Sequence, residues 1–343
     1  MVEHGTVQQI LEAPEHPYTR DLISSVPLVG GESFLNPDAR AEAPKRDSSE
    51  PLLRFEDVRK DYGPVTALHQ MSFTLQGDTS QIISIVGQSG SGKSTMGSIM
   101  LGFNPPTEGR VLFEGQDVAL MSAAQSLKFR KNVQAVFQDP YACFNPFYRV
   151  NHALQFPFKQ FGLAKSDTHT QTAMEEACAA VGLDPDLVLN RYPHQLSGGQ
   201  RQRLIVARAL MLSPKLLIAD EPVSMVDASL RASILSNIYD LKDKYGISIL
   251  YITHDLATAY HVSDYVMVLF KGHVVEAGPP KEVIGAPQHP YTRLLIDSIP
   301  WPDLDRSWGD GRDDWDPAQL EANAAQASAV FRGQVAGFDL AQR

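Results

Sequence analysis

Five short apolar runs recur from residue 81 onward: QIISIV at 81–86, VQAVF at 133–137, KLLIA at 215–219, ISILYI at 247–252 and YVMVLF at 265–270. Each is rich in branched residues and lacks strict alternation, which suits strands covered on both faces. Between several of them the period lengthens to that of a helix. At 171–181, for example, Ala173, Met174, Ala177, Cys178 and Val181 fall on one face. Buried strands alternating with helices predict a largely parallel α/β sheet.

Two segments stand outside this alternation. Residues 28–51 (LVGGESFLNPDARAEAPKRDSSEP) are rich in Gly, Pro, Ala and charge, and read as a linker before a main domain that opens at Leu52. Residues 301–343 carry eight acidic and four basic residues and then an Ala/Gln-rich stretch, so a loosely packed helix or disorder is expected there. The chain also repeats itself. Residues 2–27 align without a gap to residues 275–300, with 14 identities in 26 positions at a constant offset of 273. That spacing is the length of a domain, too long for a solenoid.

Composition narrows the function. A formal net charge of −10 and a pI near 5.5 argue against a nucleic-acid partner, which calls for a basic face. Cys143 and Cys178 are too few for a disulfide framework and lie in no CxxC spacing. The first residues lack a signal-peptide pattern, and no apolar run approaches the roughly 20 residues of a membrane span. If the protein serves a membrane process, other chains must do the spanning.

The candidate chemistry lies at the ends of the apolar runs. Gly87-Gln88-Ser89-Gly90-Ser91-Gly92-Lys93-Ser94 fits GxxxxGK[ST] between a strand and a helix expected at 93–101. In such a loop backbone N–H groups turn toward a phosphate, Lys93 contacts the outer phosphates, and the Ser94 hydroxyl ligates Mg²⁺. KLLIADE at 215–221 ends in two carboxylates: Asp220 suits Mg²⁺, and Glu221 is placed to polarise an attacking water. Leu196-Ser197-Gly198-Gly199-Gln200 precedes an amphipathic helix and reads as an N-capped anion site.

An LSGGQ between a phosphate-binding loop and a KLLIADEP strand resembles the ATP-binding-cassette (ABC) ATPases, over residues 52–300. The resemblance implies an α/β P-loop core with a RecA-like sheet, a β-rich lobe near 52–75 and 110–120, and a helical lobe between about 139 and 212. It places ATP on Gly87 to Thr95 and adenine against Tyr62. Gln138 of VFQDP would sense Mg²⁺ and the γ-phosphate, and His254 of YITHD would contact the γ-phosphate. Mg²⁺ would be held by Ser94, Gln138 and Asp220, with Glu221, His254 and Gln138 forming the catalytic group. Ser197, Gly198, Gly199 and Gln200 would serve the nucleotide of an opposing cassette. Asp227 matches an aspartate of the loop after Glu221, although Met225-Val226 departs from the Ala-Leu expected there.

Within the superfamily, FQDPYACFNP at 137–146, EPVS at 221–224 and HPYTRLL at 289–295 resemble the ATPases of oligopeptide and dipeptide importers. That implies an ATP hydrolase peripheral to the cytoplasmic face of a bacterial inner membrane. Its partners would be a second cassette, two permease subunits and an external solute-binding protein, with no nucleic acid. The loop after Gln138, with Tyr141, Phe144, Phe147 and Tyr148, would either receive permease helices or form core. Some relatives bind an iron–sulfur cluster through cysteines after the HPYT segment; residues 287–343 contain none, so no cluster is expected. The rival reading is a soluble ABC protein acting on ribosomes or DNA. The expected organisation is 1–27 as the tail of a preceding cassette, 28–51 linker, 52–286 nucleotide-binding domain and 287–343 C-terminal extension. The repeat therefore predicts the C-terminal half of a tandem-cassette polypeptide, with a strand beginning at Met1.

Overall fold

A computed structural model describes residues 1–24, 50–224, 226, 228–299 and 316–334. Among them the strands are β1 (Leu53–Tyr62), β2 (Val65–Leu75), β3 (Ile82–Val86), β4 (Glu108–Phe113), β5 (Gln116–Asp117), β6 (Val133–Val136), β7 (Leu216–Asp220), β8 (Ser248–Thr253), β9 (Tyr265–Phe270) and β10 (His273–Gly278). The five apolar runs become β3, β6, β7, β8 and β9, each within a residue of its expected bounds. They join one sheet in the order β10-β9-β3-β8-β7-β6. Neighbours from β9 to β6 run parallel, and only β10 is antiparallel, on β9. β3 and β8 are buried along their whole length, as strands covered by helices on both faces must be.

One face of this sheet packs on the antiparallel sheet β2-β1-β4-β5, through Phe55, Phe73, Ile85, Met96 and Ile252. The other carries the helical lobe, whose core includes Leu154, Met174, Cys178, Leu204 and Ile205. Its helices are Val150–Gln160, Asp167–Ala180, Pro185–Val188 and Gly198–Leu210. Burial pushes the Cys178 thiol up to about 11, so it serves as packing. Phe144 belongs to this core at 5% exposure, whereas Phe147 is 86% exposed. The aromatic cluster therefore divides, and Phe144 leaves the set available to a partner.

Two expectations change at the ends of the chain. Residues 1–5 form no strand; Thr6 caps the helix Val7–Glu12 instead. The matching residues of the second copy, Val274–Gly278, lie in β10 because β9 supplies a hydrogen-bonding neighbour, and among the described residues the first copy has none. Of the tail, where a loosely packed helix or disorder is expected, the described residues form a packed helix. Helix Pro317–Gln334 packs on β10 and β2 and buries Leu320, Ala324 and Ser328. The linker expectation falls almost wholly on residues outside those described.

Candidate active site

The expected site residues end adjacent parallel strands. The loop from Gly87 follows β3, His254 follows β8, Asp220 and Glu221 close β7, and Gln138 follows β6. In an open α/β sheet the carboxyl ends of such strands form the ligand crevice. Here they border a cleft of about 1300 Å³, lined by Gly87 to Gly90, Gly92 to Thr95, Gln138, Asp220, Glu221 and His254. The register of one sheet thus brings residues more than a hundred positions apart, such as Lys93 and Asp220, to one cleft.

The loop can take its path only with glycine at its tight points. A Cβ on Gly87 would lie 2.2 Å from the Leu269 carbonyl oxygen. One on Gly92, which has φ +106, would lie 2.7 Å from both the Ala67 carbonyl oxygen and the Leu68 side chain. Helix Lys93–Met100 starts directly after, so its first N–H groups lack intrahelical partners and open toward the cleft with the positive end of the dipole. Lys93 is buried; its Nζ donates to the carbonyls of Gly87 at 2.7 Å and Gln88 at 2.8 Å. Burial pulls the Lys93 ammonium below its ordinary range, opposed by the charges of Glu221 and Asp220. Burial, with Glu221 beside it, raises the Asp220 carboxyl above its ordinary range, opposed by Lys93. Beside the loop, Asp220 and Glu221 face the single ammonium of Lys93, an excess of negative charge that a divalent cation would relieve, while Asp255, Glu321, Arg231 and Lys271 also line the cleft. Oxygen donors at Ser94, Gln138 and Asp220 fit a hard ion such as Mg²⁺.

Glu221 carries the strain of the site. Its φ is +50, a conformation non-glycine residues rarely adopt, and its N–H donates to the Ile252 carbonyl at 2.8 Å. The carboxylate is thereby turned toward β8, where its Oε1 lies 2.6 Å from His254 Nδ1.

Other expected residues lie elsewhere. Tyr62 is half-exposed at the β1–β2 turn and is absent from the cleft lining, although its cross-strand partner Val65 is part of it. Lys60 Nζ approaches the Tyr62 ring to 5.1 Å. The LSGGQ segment is also outside the cleft. Ser197 is exposed and caps helix Gly198–Leu210 in a capping box: its Oγ accepts from Gln200 N–H at 3.2 Å, and Gln200 Oε1 accepts from Ser197 N–H at 2.9 Å. Gly199 is buried at its foot. Asp227 lies outside the described residues. Sequence reasoning missed Arg231, Lys271, Glu321 and Tyr291: the first three line the cleft, and the fourth touches its loop, with the Tyr291 hydroxyl accepting from Gln88 N–H at 3.0 Å. Only Tyr291 carried a signal, as part of the repeated HPYT segment.

Against known families, residues 68–224 match the one described as "ABC transporter". The chain carries an ABC transporter domain. "Oligopeptide/dipeptide transporter, C-terminal region" matches twice, at 2–50 and at 275–326, ranges that each contain one copy of the internal repeat. Among relatives of this ABC chain, the glutathione import ATP-binding protein GsiA of Salmonella typhimurium is 37% identical over 332 residues, covering 89% of this chain and 52% of that protein. GsiA of Escherichia coli is 38% identical over 327 residues, covering 87% and 52%. The chain thus spans about half the length of the curated relatives it matches. Among solved structures, cbiO1 from Clostridium perfringens, part of the ABC transporter complex cbiONQ, aligns with a TM-score of 0.61 at 26% identity, over 69% of this chain and 92% of that one. A dimeric bacterial ABC transporter cassette aligns with a TM-score of 0.59 at 26% identity, over 66% and 98%. These cassettes share the α/β P-loop fold of this chain.

Proposed function

We propose that this ABC chain binds and hydrolyses ATP in the cleft at the ends of β3, β8, β7 and β6, and that hydrolysis powers import of peptides or peptide-like solutes. The observation that carries the reading is the convergence of Lys93, Asp220, Glu221 and His254 on one cleft while Ser197 stays exposed and outside it. In this reading the loop N–H groups and Lys93 hold the phosphates. Ser94, Gln138 and Asp220 would hold Mg²⁺, which would supply charge neutralisation on the phosphate oxygens. Glu221 orients and deprotonates the attacking water, and His254, held by Glu221, approaches the γ-phosphate from β8. Tyr62 stacks on adenine from the rim, and Thr95 adds a first-turn contact.

Ser197 to Gln200 lie outside their own cleft, so we assign them to the ATP of a second cassette in a head-to-tail pair. The repeat supports a second cassette beyond the sequence match alone. Glu3 accepts from the N–H groups of Glu15 and His16, as Glu276 does from Gln288 and His289. His16 Nδ1 accepts from Tyr18 N–H, as His289 Nδ1 does from Tyr291; Arg20 Nε donates to the Pro14 carbonyl, as Arg293 does to that of Pro287. The same module is built twice at the same offset, but Tyr18 is 53% exposed where Tyr291 is fully buried. The first copy is read as the tail of a preceding cassette in a tandem polypeptide, with Tyr18 turned toward that cassette.

Among the described residues no helix is long and apolar enough to cross a membrane, so permease subunits are assigned to other chains, with Tyr141, Phe147 and Tyr148 as contacts at the cytoplasmic face. An external binding protein would supply the solute, and the relatives named for glutathione import favour small peptides. The test is uptake of labelled di- and tripeptides by the native organism. Lys93→Ala should abolish it; unchanged uptake, with the variant confirmed as the expressed form, contradicts the reading.

A further inference from the structure

The peptide unit joining Gly87 to Gln88 is held at both of its polar ends. Its carbonyl accepts from Lys93 Nζ at 2.7 Å, and its N–H donates to Tyr291 Oη at 3.0 Å. An amide whose oxygen is bonded to an ammonium becomes a better donor, so the two contacts reinforce one another. Rotating this peptide would break both. The residues that follow it, Ser89 to Thr95, line the cleft or turn beneath it, and their aim depends on the plane from which the loop departs.

Tyr291 reaches this point from the C-terminal segment and has little freedom there. Its ring is fully buried with its centroid 4.3 Å from that of Phe270. Its N–H is capped by His289 Nδ1, and the His289 N–H is held by the Glu276 carboxylate on β10. Pro290 fixes the first turn of helix Pro290–Asp297. Glu276, His289 and Pro290 therefore aim one phenol at one peptide. The duplicate module holds the same His cap with Tyr18 half-exposed, so the cap does not require the ring to be buried; in the second copy, where the ring is buried, the phenol oxygen needs a partner, and Gln88 N–H supplies one.

We propose that Tyr291 is a positioning residue of the nucleotide site: it orients the Gly87–Gln88 peptide and thereby sets the affinity of the loop for ATP. This makes the C-terminal segment a buttress of the phosphate-binding loop as well as a covering of the sheet edge. The proposal rests on the ATP reading above for its consequence, but not for its geometry. A second contact from the same end of the chain agrees with it, since Gly272 N–H, between β9 and β10, donates to the Ser91 carbonyl at 2.9 Å.

The test compares Tyr291→Phe with Thr292→Val, a buried neighbour on the same helix, in the full chain. Two quantities are measured: amide hydrogen exchange at Gln88 without nucleotide, and the dissociation constant for Mg-ATP. Tyr291→Phe should speed exchange at Gln88 and weaken ATP about threefold to tenfold, the loss of roughly one net hydrogen bond. It should leave kcat at saturating ATP within about twofold, because no group of the chemical step is touched. Thr292→Val should change neither quantity. Unchanged exchange at Gln88 in Tyr291→Phe overturns the proposal, as does unchanged ATP affinity or equal weakening by both variants. The exchange measurement needs no nucleotide, so it tells failure of this contact from failure of the ATP reading.

Discussion

His254 Nδ1 lies 2.6 Å from Glu221 Oε1, although the two residues close different strands and stand 33 positions apart. The pair is asymmetric in its surroundings: the Glu221 side chain is 13% exposed and that of His254 is 64% exposed. Glu221 is anchored by its backbone bond to Ile252, so His254 is the partner that is positioned. His254→Ala should lower ATP turnover about 10²-fold or more with little change in ATP affinity. Steady-state hydrolysis and nucleotide titration on the same preparation check this; turnover within a factor of about three of wild type would remove His254 from the chemistry.

Asp220 gives a prediction with opposite signs for stability and binding. Burial, with Glu221 nearby, holds its carboxyl above the ordinary range in the folded chain. A raised folded-state pKa favours the protonated form, so the favourable contribution is present at low pH and is lost as pH rises through that value. At neutral pH the charged carboxylate therefore destabilises the nucleotide-free fold. Asp220→Asn should raise the unfolding temperature of the nucleotide-free chain at pH 7, and the gain should shrink as pH falls into the acidic range. The same change should remove most of the Mg²⁺-dependent stabilisation by ATP. Thermal unfolding at pH 7 and pH 5, with and without Mg-ATP, distinguishes this from a merely structural aspartate, whose replacement would lower stability at both pH values.

Ser197 separates the isolated chain from its assembly. Its cap on helix Gly198–Leu210 is worth about 1 kcal/mol, so Ser197→Ala should cost roughly that much stability and spare ATP binding by the isolated chain. Ser197→Arg should likewise spare binding but abolish hydrolysis in the assembled pair, because the bulk and charge fall on the nucleotide of the other cassette. Full hydrolysis by an assembly carrying Ser197→Arg would sink the assignment across the interface.

Much of this site was legible in the sequence because a parallel sheet makes it so. Its strands are continuous apolar runs, and its chemistry stands immediately after them, so Lys93, Asp220 and Glu221 could be named from local context, while His254 came only from the resemblance. What depended on packing was not legible. Tyr291 meets Gln88 across 203 positions, and nothing local marks its hydroxyl. Phe144 and Phe147 are equivalent as letters in FQDPYACFNP, yet one is core and the other open to solvent. The segment at Met1 shows the converse: a sequence that is strand-like in its second copy forms none in its first, because a strand is completed by its neighbour. Glu321 reaches the cleft from a tail whose composition suggested loose packing, through an ion pair with Lys271 at 2.7 Å.

The central claim is that Glu221 activates water at an ATP held by the loop from Gly87 to Thr95, and one variant tests it most directly. Glu221→Gln keeps the size of the side chain and its hydrogen bonding while removing the base. Measured under single-turnover conditions with Mg-ATP, it should retain ATP affinity within about threefold and slow cleavage by about 10²–10⁴-fold, leaving ATP intact on the protein. Cleavage at the wild-type rate, with ATP affinity preserved, would contradict the account.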